Sequence, residues 1–382
     1  MILRGRSLKG FAPAFCASCY NLSMKSLNEF KRQIDKCSRC GICQGSCPIY
    51  KVTGNDCTVS RGQFVMLKAL LNGELKMSKT INRYLDLCLK CGACTKFCPS
   101  GINVVDVIAA AKHEYFMTHP FEKMISFVQE KFLFGFFVDF MNLFSKKTKS
   151  KKFEKSVLYF GGCRTKLKGD SALVRVMNSL GVEVVNPSFS CCGIPFFARG
   201  DFKTFEKYLN KYVAVLKKYK INEVVTTCAS CEKTLKDYAR WTVDADTKEF
   251  LLGIKVSNVY EYIKNSGVEL SLKRSVSVTF HKPCNIDNYS DVEWILKNTK
   301  NLNYVEMKDF DACCGLNGLS KVSEYKIMRK VFDSKRENII KSGVRNVLTS
   351  CLGCEVALNA YSFGAYRVFD MLEFLADNVE EL

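Results

Sequence analysis

The sequence of 382 residues lacks several features that would assign it to a common class of protein. Its apolar runs are far shorter than the ~18 residues that a transmembrane helix needs, so no membrane-spanning helix is predicted. Residues 1–19 contain no continuous apolar stretch, so a secretory signal peptide is not expected. There is no glycine-rich dinucleotide-binding motif or P-loop, so no nucleotide cofactor is predicted. With 3 histidines in all, the chain offers few groups for acid–base catalysis, and no catalytic residue is assigned.

The overall composition is that of a globular protein, with 47% hydrophobic and 25% charged residues. The length suggests two or three domains at ~150 residues each. Lys and Arg number 57 against 38 Asp and Glu, which gives a formal net charge of +19. Since no DNA- or RNA-binding module is recognisable, we do not predict nucleic acid as a partner. The basic charge suits an anionic lipid surface or an acidic partner protein equally well.

Cysteine is unusually abundant, at 21 residues. Disulfide frameworks belong to short secreted chains, and this chain is long and carries no signal pattern, so metal binding is favoured. The spacing supports metal, because the pattern C-x2-C-x2-C-x3-C-P occurs twice, 51 residues apart. Its members are Cys37, Cys40, Cys43, Cys47 and Pro48 in the first copy and Cys88, Cys91, Cys94, Cys98 and Pro99 in the second.

This double pattern is typical of proteins with two [4Fe–4S] clusters, in which three closely spaced thiolates bind one cluster and the fourth reaches the other. Two zinc sites are the alternative, but zinc sites favour paired C-x2-C units. We therefore predict one [4Fe–4S] cluster on Cys37, Cys40, Cys43 and Cys98. We predict the second [4Fe–4S] cluster on Cys88, Cys91, Cys94 and Cys47. Between the motifs, residues 61–72 and 80–86 have apolar side chains at helical spacing, which predicts a helical ferredoxin module.

A second duplication occupies the rest of the chain. Each copy has a single cysteine, a Cys-Cys-Gly triplet and a C-x2-C pair, and counterparts lie 121 to 123 residues apart. Such a repeat indicates two duplicated domains, which we call CCG domains. The first set is Cys163, Cys191, Cys192, Cys228 and Cys231, and the second set is Cys284, Cys313, Cys314, Cys351 and Cys354. Five thiolates exceed the four ligands of zinc, which favours further iron–sulfur clusters, but a zinc site with a spare cysteine or a redox disulfide stays open.

Short apolar runs alternate with helical patterns in both CCG domains, which predicts parallel βαβ units. The predicted strands are 157–160, 182–185, 224–227, 276–280, 304–307 and 344–349, and helices are predicted at 173–180 and 202–219. The cysteines follow strand ends, where open α/β sheets place their sites. The predicted fold class is α/β, with an N-terminal α-helical module for two [4Fe–4S] clusters followed by two duplicated CCG α/β domains with parallel strands.

The predicted domains are an N-terminal extension (1–23), the helical dicluster ferredoxin domain (24–118), an amphipathic linker (119–154), the first CCG domain (155–268) and the second CCG domain (269–382). Within the linker, residues 121–144 hold eight phenylalanines at largely helical spacing, and five lysines follow at 146–152. This pattern fits a helix at a membrane interface. A helix packed on the CCG domains, followed by a solvated linker, fits it equally well.

One histidine lies next to a predicted ligand. His281 ends a predicted strand and precedes Cys284 by three residues. It either donates a hydrogen bond to a cluster sulfur, protonates a thiolate, or is a strand-end histidine bonded to the backbone.

The two cysteine motifs and the two CCG domains together resemble the iron–sulfur subunits of flavin-linked dehydrogenases, over roughly residues 30–380. The segments Ser60–Gln63 and Cys98–Gly101 look like the glycolate oxidase iron–sulfur subunit family. Relatives of that family are the third subunit of anaerobic glycerol-3-phosphate dehydrogenase and heterodisulfide reductase.

The resemblance implies an oxidoreductase subunit of the glycolate dehydrogenase type. It would pass electrons from an FAD-containing partner subunit, which oxidises glycolate or D-lactate, towards quinone. FAD is expected only in the partner, and the implied location is cytoplasmic, peripheral on the inner face of the cell membrane. Both CCG sets keep all five cysteines, including Cys351 and Cys354, where the glycolate type often looks degenerate. A thiol/disulfide oxidoreductase similar to heterodisulfide reductase is therefore an alternative, and the iron–sulfur subunit of anaerobic glycerol-3-phosphate dehydrogenase is another.

Overall fold

A computed structural model describes residues 26–132, 147–187, 189, 191–316 and 324–380. The predicted N-terminal extension (1–23) lies outside the described residues, and so do the phenylalanines at 134–144 of the predicted linker helix. Among the residues described, no helix combines the length and the apolar character needed to cross a membrane.

The N-terminal module is helical, as predicted. The predicted helices at 61–72 and 80–86 correspond to observed helices at Ser60–Leu71 and Lys79–Leu87, and short 3₁₀ turns occur at Leu27–Phe30 and Asp56–Thr58. The helices of this part are α1 (Lys31–Asp35), α2 (Ile42–Ser46), α3 (Pro48–Thr53), α4 (Ser60–Leu71), α5 (Lys79–Leu87), α6 (Ala93–Lys96), α7 (Val104–Thr118) and α8 (Pro120–Val128). Pro48 occupies the first turn of α3, where its missing N–H costs no helical hydrogen bond, and Cys47 precedes it in extended conformation.

Each CCG region contains a four-stranded parallel sheet. The strands are β1 (Lys155–Tyr159), β2 (Val182–Val185), β3 (Glu223–Thr226), β4 (Lys255–Asn258), β5 (Ser271–Phe280), β6 (Lys300–Tyr304), β7 (Asn346–Thr349) and β8 (Arg367–Asp370). The strand order is the same in both sheets, β2-β1-β3-β4 and β6-β5-β7-β8, which confirms the predicted duplicated α/β fold. The helices are α9 (Gly162–Lys168), α10 (Ser171–Ser179), α11 (Ile194–Arg199), α12 (Phe202–Tyr219), α13 (Ala229–Trp241), α14 (Ala245–Leu252), α15 (Val259–Asn265), α16 (Tyr289–Asn298), α17 (Tyr325–Lys341), α18 (Leu352–Ala360) and α19 (Met371–Asn378).

The sequence patterns missed β4 and β8 and placed β6 too late, at 304–307 instead of Lys300–Tyr304. All three are edge strands of their sheets. An edge strand is paired on one side only, and these three leave several side chains exposed. They therefore lack the continuous apolar run that marks a central strand such as β1 or β3.

The dicluster module packs against both CCG domains. Helix α7 is almost entirely buried and shares a core with the first CCG domain, where the ring of Phe30 lies 6.0 Å from that of Trp241. On the other side, Ile49 and Leu87 pack with Phe332 of α17 in the second CCG domain. The module therefore sits where it can approach the cysteine sets of both domains.

A buried charge network joins the two CCG domains to each other. Arg164 of α9 lies between Asp370, at the end of β8, and Glu373 of α19, with N···O distances of 2.8 and 2.9 Å. Lys168 contacts the same Glu373 at 3.0 Å. Because Arg164 is 2% exposed, removal of either carboxylate would leave a buried cation poorly paired, so the network fixes the relative position of the domains.

Candidate iron–sulfur sites

The two ferredoxin-type loops have the same backbone conformation. Arg39 and Gly41 in the first loop have φ values of 58° and 86°, and Lys90 and Gly92 in the second have φ values of 52° and 73°. These left-handed residues turn the chain sharply between successive cysteines, and glycine adopts that conformation without steric cost. The sequence motif thus specifies a tight loop around each cavity.

Two adjoining cavities lie at these loops. The first is lined by four cysteines of the two motifs, Cys37, Cys40, Cys43 and Cys98, and by Cys94 at its boundary. The second is lined by Cys88, Cys91, Cys94 and Cys47. Ser60, Cys94 and Val104 line both cavities and form the wall between them. The fourth cysteine of each motif therefore lies at the cavity of the other motif.

The electrostatics of the second cavity suit a metal cluster. Burial, together with the nearby Cys88 and Cys91, raises the pKa of Cys47 to about 12, and burial raises that of Cys94 also. Thiols in such surroundings stay protonated unless a metal compensates the thiolate charge. All 19 cysteines in the described residues are free, so disulfides are not formed there, and the donor set fits iron–sulfur binding.

The first CCG set gathers at the carboxyl ends of β1 and β3. Cys163 lies in the first turn of α9, shortly after β1, and Cys228 is the N-cap of α13, shortly after β3. Cys192 forms side-chain hydrogen bonds with Cys191 and Cys231, and Cys231 also bonds Cys228. Burial raises the pKa of Cys163 to about 12, with Cys192 as a further cause. The structure therefore brings together five cysteines that span 69 residues of sequence.

The glycine of the Cys-Cys-Gly triplet has a steric role. Gly193 has a φ of +77°, and a Cβ there would lie 2.9 Å from Cδ2 of Phe205. Gly315 of the second triplet has a φ of +86°, with Val331 3.3 Å from the position of a Cβ. Both triplets thus need glycine for the turn that directs two adjacent cysteines towards one site.

The second CCG set repeats the first at the ends of β5 and β7. Sγ of Cys314 and Sγ of Cys354 are 3.4 Å apart, Cys313 bonds Cys284, and Cys351 bonds Cys354. His281 lies fully buried beside them, with its ring within 4.8 Å of the sulfurs of Cys314 and Cys354. Burial and the charge of Lys335 hold the pKa of His281 well below its usual value, so the imidazole is neutral.

The two CCG sets meet across the domain interface. Cys228 and Cys351 form a side-chain hydrogen bond, and Oγ of Ser230 lies 3.4 Å from Sγ of Cys351. Asn285 donates to Ser230 at 3.2 Å, and the backbone N–H of Ala229 donates to the carbonyl of Ser350 at 2.9 Å. The loops that carry the C-x2-C pairs are therefore bonded directly to each other.

The second CCG set also touches the dicluster module. Cys91 of the second ferredoxin cavity forms a side-chain hydrogen bond with Cys313, and Cys284 is close enough to interact with both. The predicted ligands therefore form one continuous row. It runs from the first cavity to the second, then to the second CCG set and finally to the first CCG set.

Two residues of this region were not predicted from the sequence. Ser230 is one of the two residues between Cys228 and Cys231, so the C-x2-C pattern marks its place but not its contact with Cys351. Lys335 is 2% exposed and donates to the carbonyls of Asp309 and Phe310 at 2.6 and 3.0 Å. The feature of the sequence that could have revealed Lys335 is its position on the apolar side of α17.

Comparisons with known proteins agree with this architecture. A family model described as a 4Fe-4S dicluster domain matches residues 33–102, and one described as a cysteine-rich domain matches residues 157–236 and 278–359. The fold and the cysteine sets thus define an iron–sulfur protein with a dicluster domain and two CCG domains. These matches agree with the resemblance of the motifs to the CCG-domain iron–sulfur proteins.

Relatives of known name match most of the chain. The probable glycolate oxidase iron-sulfur subunit of Bacillus subtilis is 24% identical and covers 86% of this chain and 90% of its own length. One of the dihydromethanophenazine:CoB–CoM heterodisulfide reductase subunits of Methanosarcina mazei is 26% identical and covers 84% of this chain and 86% of its own length. The glycolate oxidase iron-sulfur subunit of Escherichia coli is 22% identical, with 90% and 94% covered. These relatives are oxidoreductase subunits.

Proposed function

We propose that this chain is the iron–sulfur electron-transfer subunit of a flavin-linked 2-hydroxy-acid dehydrogenase of the glycolate or D-lactate type. The observation that carries the proposal is the continuous row of cysteine sets, which begins at the surface of the dicluster module. Cys40 is exposed at the start of this row, and Ile42 of the same loop and Phe97, which precedes Cys98, are about half exposed. An FAD-containing partner subunit would dock at this end.

The cysteines would hold the clusters in the arrangement that the double motif predicts. Cys37, Cys40, Cys43 and Cys98 would bind one [4Fe–4S] cluster, and Cys88, Cys91, Cys94 and Cys47 would bind the other. Each five-cysteine CCG set would bind a further iron–sulfur cluster. Bound iron–sulfur clusters supply one-electron transfer. The protein contributes thiolates at fixed positions, and apolar walls keep water away from those that are buried.

The chain has little with which to oxidise an organic substrate itself. His113 donates from Nδ1 to the carbonyl of Gly200 at 2.7 Å and stacks on Phe202, which is a structural role. His119 bonds the backbone of Tyr115 one turn earlier in the chain. Hydride removal from the hydroxy acid is therefore assigned to the flavoprotein partner, and electrons would leave towards quinone.

The test is anaerobic purification of the chain with its flavoprotein partner, followed by addition of glycolate, D-lactate or glycerol 3-phosphate. Under the proposal, a 2-hydroxy acid generates the EPR signals of reduced [4Fe–4S] clusters. Reduction by glycerol 3-phosphate alone would instead assign the chain to the anaerobic glycerol-3-phosphate dehydrogenase type. Reduction by none of the three would contradict a dehydrogenase function. Metal analysis of the same sample separates iron and sulfide from zinc.

A specific observation favours a second candidate, a thiol/disulfide oxidoreductase similar to heterodisulfide reductase. Both CCG sets keep five cysteines, and the sets touch through Cys228 and Cys351 at the domain interface. A site between two redox centres suits a substrate that is split into two thiols. Anaerobic reduction of a heterodisulfide by the dithionite-reduced protein, lost in Cys351→Ala, would favour this candidate over the first.

We also propose a cytoplasmic location at the membrane surface. Free cysteines in such number are typical of a reducing compartment. The outer face of α8 is apolar, because Phe121, Met124 and Phe127 are 65%, 53% and 60% exposed. Lysines follow at 147–152 within the described residues. An apolar face beside basic residues suits an anionic lipid surface.

A further inference from the structure

The two CCG domains differ at a position that lies beside the cysteine set in the second domain. The counterpart of His281, 121 residues earlier, is Phe160, just as the counterpart of Cys284 is Cys163. The backbones of the two residues are equivalent: the N–H of Phe160 donates to the carbonyl of Val225, and the N–H of His281 donates to that of Leu348, both at 2.8 Å. The duplication therefore kept the backbone position and changed the side chain.

The neighbours of the two side chains also change from an aromatic group in the first domain to a polar group in the second. Phe160 packs edge-on against Tyr212 of α12, with ring centroids 5.8 Å apart. Lys335 takes the corresponding place in α17, 123 residues later, and its charge lies close enough to act on Cys314 and Cys354. An aromatic pair in the first domain is thus replaced by an imidazole and an ammonium group in the second.

The imidazole of His281 has no hydrogen-bond partner in the described part of the chain, at either ring nitrogen. Its backbone groups are fully used, since the carbonyl accepts from Oγ1 of Thr349 at 3.1 Å. Within the described residues, the ring of His281 therefore does not bond the backbone, which was one of the alternatives for this histidine. Buried polar groups nearly always have partners, so a fully buried ring that lies beside two sulfurs points to a ligand at those sulfurs.

We propose that His281 donates an N–H hydrogen bond to the sulfur of Cys314 or Cys354 when the second CCG set binds its iron–sulfur cluster, and that this bond raises the reduction potential of that cluster above that of the first set. The proposal rests on the iron–sulfur assignment of the second set made above. An imidazole carries at least one N–H in either protonation state, whereas Phe160 has no donor. A hydrogen bond to a cluster sulfur favours the more negative reduced state, which raises the potential. His281 acts as a positioning residue.

The test uses the anaerobically purified full chain with histidine labelled by ¹⁵N, and the variants His281→Phe and His281→Gln. The second-set EPR signal is identified as the one that Cys314→Ala abolishes. With 3 histidines in the chain, a histidine nitrogen coupled to that signal is readily assigned. We expect a weak nitrogen coupling of the kind a hydrogen bond transmits, and its loss in His281→Phe. The redox titration of His281→Phe should shift the second-set potential downwards and leave the first-set potential unchanged.

His281→Gln keeps an N–H donor and is expected to retain a potential close to that of the unmodified protein. It also serves if His281→Phe does not fold. An unchanged potential in His281→Phe with the cluster intact, or equal downward shifts in both variants, would overturn the proposal. A strong coupling typical of direct iron ligation would overturn it also. If metal analysis finds no iron beyond the two ferredoxin-type clusters, the iron–sulfur assignment of the CCG sets fails instead, which is a distinguishable result.

Discussion

The contact between the dicluster module and the first CCG domain depends on one glycine. Gly200 follows α11 with a φ of +89°, and a Cβ there would lie 2.6 Å from both N of His113 and C of Lys112. These are backbone atoms of α7, so they cannot move aside as the end of a flexible side chain would. The carbonyl of Gly200 also accepts the 2.7 Å hydrogen bond from His113. Gly200→Ala therefore perturbs the contact between the end of α11 and the backbone of α7.

The magnitude follows from two costs. An alanine in left-handed conformation costs about 1–2 kcal/mol. Forcing a methyl group into a packed contact costs about 1–3 kcal/mol more. The sum of about 2–5 kcal/mol corresponds to a change of roughly 30-fold or more in an opening equilibrium, at about 1.4 kcal/mol per factor of ten. We expect the change at the contact of α7 with α11, because both costs arise there.

Hydrogen exchange measured by mass spectrometry on peptides from α7 (Val104–Thr118) provides the assay, since protected amides report local opening. Gly343→Ala is the matched control, because Gly343 has a φ of +72° but nothing within 4 Å of the position of a Cβ. The control should carry only the backbone cost, in the second CCG domain, and leave α7 unchanged. Equal exchange of α7 in Gly200→Ala and in the unmodified protein would refute the close backbone contact.

Three further predictions concern clusters, pH and membranes. Cys47→Ala should abolish the EPR signal of the second-motif cluster and Cys98→Ala that of the first, and loss of the cluster of the same motif in either variant would disprove the exchange of fourth ligands. Burial raises the pKa of Asp106 from 3.8 to about 6, so its contribution to stability is present below about pH 4 and is lost as pH rises through about 6. Thermal unfolding of Asp106→Asn should lack this pH-dependent loss of stability. If the melting temperatures of the variant and the unmodified protein change with pH in parallel, the prediction is contradicted. Co-sedimentation with anionic vesicles should fall with rising salt and in Phe121→Ser/Phe127→Ser, and a protein that stays in the supernatant at low salt would exclude the membrane surface.

Much of the architecture could be predicted from the sequence because its signals are local. The cysteine spacing, the repeated Cys-Cys-Gly triplets and the apolar runs of the central strands each depend on a few neighbouring residues. They determined the helical module, the two parallel α/β repeats and the residues that gather in each set. Edge strands such as β4 and β8 escaped prediction, because half-exposed residues carry no strong periodic pattern.

The order of the cysteine sets was decided only by the tertiary structure. No spacing rule predicts that Cys91 contacts Cys313, which happens because the dicluster module packs on the second CCG domain. The repeat makes Cys228 and Cys351 counterparts, but only the packing of the two CCG domains brings them into contact. The lack of a hydrogen-bond partner for the ring of His281 among the described residues also could not be predicted from the sequence, because it depends on all the side chains that pack around the ring. Local chemistry specifies which cysteines gather in each set, whereas the packing of large apolar surfaces between domains fixes which sets are neighbours.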